Sequence, residues 1–281
     1  MSLNHTASFI AQKSNRKRIY TIAIASGKGG VGKSSIAVNL SIALSMLKQK
    51  VVLFDGDLGL GNVTFMLGIK GVSSNLEHVI KGEKRLDEII LEGPKGILVI
   101  PTASGAEKLA NLNADESRNL WNQFKQIEEY GDFLIIDLGA GISETVISFL
   151  AVSESSIIVT TPGKTAILDA YAIIKVLHQR DETCKPLLFI NQYQEEAERI
   201  QIVTKLKAAS NKFLNTDLTE IGSMKKDWRV DTALNSQEPF VLKYPKSNIA
   251  QAMFELGNFF IKKSHQEKGS NSKIKMLFEK N

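Results

Sequence analysis

Cysteine is almost missing from this chain: Cys184 is the only one in 281 residues. That excludes a disulfide within the chain and a metal centre built on a cysteine pair, and it fits a cytosolic protein. Long apolar runs are missing too. No stretch approaches the ~18 to 20 apolar residues that cross a bilayer, and Phe9-Ile10-Ala11 is too short for the apolar centre of a signal peptide. There is no internal repeat and no low-complexity segment, so the 43% of apolar residues are free to build a large core, as a single α/β domain of this length can. Charge of one sign is not abundant either. The net charge of +5 is modest, and much of it lies in Lys13-Ser14-Asn15-Arg16-Lys17-Arg18 and in the lysine-rich stretch after Ile261. Such clusters suit a membrane surface, nucleic acid or an acidic partner, or are simply solvated termini.

What is abundant is local order. The β-type run Ile19 to Ala25 is followed at once by Gly27-Lys28-Gly29-Gly30-Val31-Gly32-Lys33-Ser34, and then by small and apolar residues at helical spacing from Ser35 to Leu44. Strand, glycine loop and helix in that order make a phosphate-binding loop. The glycines let consecutive backbone N–H groups point at phosphate oxygens, and the helix adds the positive end of its dipole. Lys33 reaches the β and γ phosphates and the Ser34 hydroxyl can hold Mg²⁺. The candidate nucleotide contacts are therefore Gly27, Lys28, Gly29, Gly30, Val31, Gly32, Lys33, Ser34 and Ser35.

Further along, Val51 to Phe54, Gly96 to Ile100, Phe133 to Ile136, Ser156 to Thr160 and Leu187 to Ile190 are compact and apolar without alternation, the signature of strands buried on both faces. Helix-length segments lie between them: Ala114 to Tyr130, Thr165 to Arg180 and Glu195 to Lys212. The expected fold is α/β, a doubly wound and mostly parallel sheet with helices on both faces and right-handed connections.

Ligands of such sheets sit at the carboxyl ends of the strands, and two strand ends there carry acids. Asp55 and Asp57 follow the second run; beside a Mg²⁺–phosphate site they can orient water or hold metal-bound water, although an Asp-Gly turn reads the same way when taken alone. Asp137 ends Phe133 to Ile136 and precedes Leu138-Gly139-Ala140-Gly141, the usual arrangement of an acid that reaches Mg²⁺ through water next to a mobile segment. Asn191 ends a later strand, where a capping or turn role is the ordinary reading.

The run Lys28-Gly29-Gly30-Val31-Gly32-Lys33-Ser34 resembles the deviant phosphate loop of the MinD/ParA family of ATPases. The resemblance implies a P-loop ATPase that hydrolyses ATP to ADP with Mg²⁺. It makes Lys28 the lysine that crosses a dimer interface to the partner's nucleotide, Asp57 the residue that positions the hydrolytic water, Asp55 its metal-side support, and Asn191 a contact to the adenine edge. An Asn-Lys-x-Asp guanine motif is absent. The segments Asp57 to Asn62, Asp137 to Gly141, Thr160 to Lys175 with its Ile-x-Asp-Ala-Tyr, and Pro239 to Ser247 are similar to the flagellar FlhG branch of that family, over about Ile19 to Ile261. This implies control of flagellar number and placement, with an FlhF-type GTPase and flagellar switch or C-ring proteins as partners. Two segments depart from the branch. His5 to Ala11 keeps only Ala7 and Ile10 of the element that stimulates the partner GTPase, and Gly222 to Asp227 lacks the proline that relatives carry before the base.

At the far end, Ile274, Leu277 and Phe278 share one helical face, with Lys273, Lys275, Glu279 and Lys280 elsewhere. An apolar stripe among lysines suits an anionic membrane surface, and dimerisation would double a weak anchor. The expected division is a basic extension over 1–18, an ATPase domain over 19–263, a polar linker over 264–272 and a membrane-targeting tail over 273–281. The protein is expected to be cytoplasmic, reversibly attached to the membrane and a homodimer with ATP. Partition of DNA or cargo in the ParA manner and regulation of the division site in the MinD manner are the alternatives; nucleic acid is the less expected partner. A metal-cluster carrier would need the cysteine pair that is missing.

Overall fold

The computed structural model describes residues 19–57, 62–102, 122–123 and 126–267. The basic extension, part of the segment after Asp57, most of the expected helix at 114–130 and the tail with Ile274, Leu277 and Phe278 lie outside these residues.

Each apolar run without alternation becomes a strand with both faces covered. With the partly exposed β3 and β8 at the edges, the strands are β1 (Tyr20–Ser26), β2 (Val51–Gly56), β3 (Leu91–Glu92), β4 (Leu98–Ile100), β5 (Phe133–Ala140), β6 (Ser155–Thr160), β7 (Leu187–Tyr193) and β8 (Thr219–Lys225). The sheet order is β3-β4-β2-β5-β1-β6-β7-β8, and every pairing is parallel except the short antiparallel β3–β4 edge. Period-2 side chains then split the core into two layers. Ala23, Ala25, Leu134 and Ile136 face one, while Ile22, Ile24, Phe133 and Ile135 face the other.

The helices divide the same way. On the first layer lie α5 (Glu144–Val152), α6 (Lys164–Arg180) and α7 (Glu196–Leu214), preceded in the chain by α1 (Lys33–Met46), α2 (Val63–Met66), α3 (Leu76–Ile80) and α4 (Ile127–Tyr130). The second layer is covered by α1 together with α9 (Phe240–Lys243) and α10 (Asn248–Gln266), which follow α8 (Trp228–Asn235). This is the doubly wound fold expected from the sequence.

Three boundaries differ from expectation. The run at Gly96 enters its strand only at Leu98, because Lys95 and Gly96 take left-handed turns (φ 61° and 76°). Strand β8 was not foreseen, since its polar sequence Thr-Glu-Ile-Gly-Ser-Met-Lys shows no apolar run; it pairs on one side only, with β7. Helix α10 runs through Gln266, three residues past the expected linker boundary, and Glu267 is held there by Lys263 and by the Tyr20 hydroxyl, which donates to its carboxylate at 2.9 Å.

Candidate functional site

Register brings the acids together. Asp55 on β2 lies directly opposite Asp137 on β5, and Asp137 also pairs with Ile24 on β1, just ahead of the glycine loop. The loop closes on α1 through Gly32, whose φ of 87° a side chain would strain. No side chain caps α1 and no acid stands in its first turn, so the positive end of the helix is left for an anion. Gly27 fits for another reason: a Cβ there would come within 2.5 Å of the Asp169 backbone on α6.

Lys33 is buried and its Nζ donates to Asp137 Oδ1 at 2.7 Å, with Ser34 Oγ at 3.3 Å and Asp57 Oδ2 at 3.9 Å. Burial pushes the Asp137 carboxyl above its ordinary range, against the pull of Lys33 and Ser34. Asp55 is raised as well, to about 7, by burial first and by the charge of Asp137 second; the Asp57 and Val63 backbone N–H groups counter only part of this. Asp137 and the partly exposed Asp57 therefore share the Lys33 ammonium, while the buried Asp55 carboxyl lies beside Asp137.

The same arrangement tests whether Mg²⁺ fits. Asp137 Oδ2 is buried and lacks a hydrogen-bond partner, a lone pair in want of a cation or metal-bound water. Ser34 and Asp55 border the same spot. Among the described residues no three His, Cys, Asp or Glu side chains are grouped as a self-sufficient metal site, in keeping with a cation held mainly through phosphates and waters with one or two carboxylates. The residues fit the ion.

A cavity of about 310 Å³ opens above the loop, lined by Lys28 to Ser35 with Ser26 and Asp57 on one side and by Asn62, Met66, Gln192 and the stretch from Val230 to Phe240 on the other. Lys28 stands at its exposed rim, where Nζ meets Thr165 Oγ1 at 3.4 Å. The far wall is the part that sequence reasoning missed. It belongs to α8 and α9, some 200 residues from the loop, and only the late Pro239-Phe240 segment hinted at it. Asn39 joins wall to loop: its Nδ2 donates to Ser35 O at 2.8 Å and its Oδ1 accepts the Val241 N–H at 3.0 Å.

Asn191 is placed differently from expectation. It is buried and does not line the cavity; its Nδ2 donates to Val31 O at 2.8 Å and its Oδ1 accepts the Gln192 N–H at 2.9 Å. Both ends of the amide are committed to backbone, one of them on the phosphate loop. Its neighbour Gln192 is the one that reaches the cavity.

A family model described as ParA, NUBPL iron-transfer P-loop NTPase, matches residues 17–260. Over 234 residues the chain is 33% identical to the antiactivator FleN of Pseudomonas aeruginosa, covering 83% of each. Over 225 residues it is 36% identical to the flagellum site-determining protein YlxH of Helicobacter pylori, covering 80% of this chain and 74% of that one. Among solved structures, the septum site-determining protein MinD complexed with Mg-ADP from Pyrococcus horikoshii matches with a TM-score of 0.71 at 25% identity, over 90% of this chain and 100% of that one. The iron transfer in the family description finds no cysteine pair within this chain, whose one cysteine, Cys184, is half-buried.

Proposed function

Because the chain belongs to the ParA/MinD family of P-loop NTPases, we propose that it is a Mg²⁺-dependent ATPase that dimerises with ATP, cycles on the membrane and regulates flagellar number and placement. One observation carries the enzymatic part. A buried lysine is held 2.7 Å from a buried aspartate of β5 beside a glycine loop, with a second aspartate, 30% exposed, 3.9 Å away.

In the proposed cycle Lys33 exchanges Asp137 for the β and γ phosphates, where its charge offsets that of the bridging oxygens. Ser34, Asp137 and Asp55 would hold Mg²⁺, which supplies further neutralisation of the phosphates. Asp57 is partly open to solvent and lies 3.6 Å from where a Cβ on Gly139 would stand, so it can orient a water beside the segment after Asp137. Lys28, at the rim, is free to reach the nucleotide of a second copy. Phe240 and Leu234 offer the apolar surface that a base needs.

The flagellar part is supported by the names of the two relatives, antiactivator and flagellum site-determining protein. An FlhF-type GTPase and flagellar switch or C-ring proteins are the proposed partners. The membrane part is supported by the pattern of Ile274, Leu277 and Phe278 among lysines, and by the lack, among the described residues, of any helix able to cross a bilayer.

The test has two arms. Purified protein should hydrolyse Mg-ATP and form dimers with ATP but not ADP, and deletion of the gene should change the number or position of flagella. No hydrolysis in the presence of acidic lipid vesicles would remove the enzymatic reading. Normal flagella with misplaced septa or failed DNA partition would move the cellular role to the corresponding branch of the family.

A further inference from the structure

We propose that Asn191 and Gln192 form an amide clamp that holds the phosphate loop in its anion-binding shape before nucleotide arrives. The proposal rests on the reading of the cavity as a nucleotide site and adds to it two residues whose work is on the loop itself.

Asn191 Nδ2 donates to Val31 O at 2.8 Å and Gln192 Nε2 donates to Gly30 O at 3.2 Å. These are consecutive carbonyls of the glycine loop. In a planar trans peptide the carbonyl of one residue and the N–H of the next point in opposite directions. Tying the Gly30 and Val31 carbonyls to β7 therefore turns the N–H groups of Val31 and Gly32 away from β7, as an anion above the loop requires. The fit is close: a Cβ on Gly32 would lie 2.3 Å from Asn191 Nδ2, so only glycine leaves room for the clamp.

The strand end is shaped for this. The β7–β8 register shifts between Asn191 and Tyr193, which pair with Met224 and Lys225, so Gln192 is released from the ladder. Gln192 takes a left-handed backbone (φ 57°), uncommon for a residue with a side chain. Such a conformation persists where the surroundings demand it. Here the Gln192 N–H is held by Asn191 Oδ1 at 2.9 Å while its side chain reaches Gly30. One amide thus fixes the backbone of the other, and the pair grips two successive peptide units.

The experiment compares Asn191→Ala, Gln192→Gly and Gln192→Lys with the parent protein. The readouts are amide exchange over residues 27–35 without nucleotide, and binding of Mg-ATP and of Mg-tripolyphosphate, which has no base. Loop exchange should quicken in the first two variants. Within each variant both ligands should weaken by the same factor, roughly tenfold in Asn191→Ala, which loses a buried hydrogen bond, and less in Gln192→Gly, whose bond is exposed. Gln192→Gly should also melt at a higher temperature, since glycine relieves the left-handed backbone, so affinity and stability move in opposite directions. Gln192→Lys, which restores an N–H donor, should recover the affinity. Unchanged loop exchange in Asn191→Ala and Gln192→Gly would overturn the clamp. So would weakened ATP with undiminished tripolyphosphate, which would return Asn191 to the base edge. Should the parent protein bind neither ligand, the nucleotide reading fails on its own, and the clamp stands or falls by exchange in the nucleotide-free protein.

Discussion

Lys33 neutralises a carboxylate that burial would otherwise drive toward its protonated form, and this makes it a stability residue as well as a phosphate ligand. Lys33→Ala should abolish ATP binding, measured by calorimetry. Removing one partner of a buried pair costs ~3–5 kcal/mol, and that loss should be larger at pH 8 than at pH 5, where Asp137 can take a proton; urea unfolding at the two pH values checks this. Asp55 has the same sign without a cation of its own. Its folded carboxyl lies at about 7 against an ordinary 3.8, so the folded state holds the extra proton and stability is full below pH 4, then falls as pH rises through 7. At ~1.4 kcal/mol per unit the loss reaches ~4 kcal/mol at pH 8. Asp55→Asn should remove that slope, leaving the nucleotide-free protein more stable than the parent at pH 8, while weakening Mg-ATP. A variant with the parent's pH dependence would place the slope elsewhere. The meeting of Lys33, Ser34 and Asp137 was legible because spacing along the chain sets a glycine loop beside the neighbouring strand. Asn191 was not: which way a strand-end amide turns depends on the loop beside it, 160 residues earlier, and on the room that Gly32 leaves.

Among the elements, those buried on both faces announced themselves. Val51 to Phe54 and Phe133 to Ile136 have no polar side chain because β2 and β5 have no solvent face. Edge strand β8 is half-exposed and polar, and it exists as a strand because β7 offers it a ladder; tertiary pairing decided what local propensity did not. The wall formed by α8 and α9 escaped notice for a similar reason. Its residues meet the loop only after the chain has wound through seven more strands, and the join is made by Asn39, a buried polar residue of α1. Asn39→Ala would leave the buried Val241 N–H without its acceptor, a cost of ~1–3 kcal/mol. Because Asn39 anchors the wall as well as the Ser35 carbonyl, the variant should lose more affinity for Mg-ATP than for Mg-tripolyphosphate. Equal losses would show that the wall does not contact the base.

At the scale of the whole molecule, the glycine loop and the last described residue of the chain sit at opposite ends of β1. The glycine loop follows the last residue of β1, whereas the Tyr20 hydroxyl at its first residue donates to Glu267, the last described residue of the chain. The seven residues of β1 separate these points by ~20 Å at ~3.3 Å per residue. The described chain thus ends, at Glu267, away from the glycine loop. Lys28→Ala should bind ATP tightly yet stay monomeric, since Lys28 stands at the rim and its proposed contact lies in the second copy; normal ATP-driven dimerisation would sink that role. Truncation after Ser272 should do the reverse. It deletes Ile274, Leu277 and Phe278 and leaves the loop untouched, so dimerisation should persist while sedimentation with anionic vesicles is lost. In the full chain, binding should be far stronger with ATP than with ADP, because one short apolar stripe is a weak anchor and two act together. Raising salt should weaken the lysine contribution and spare the apolar one, so binding falls in part. Vesicle binding that ignores both the nucleotide and the truncation would dismiss the membrane cycle and favour a partition role on nucleic acid, recognisable by a much steeper dependence on salt.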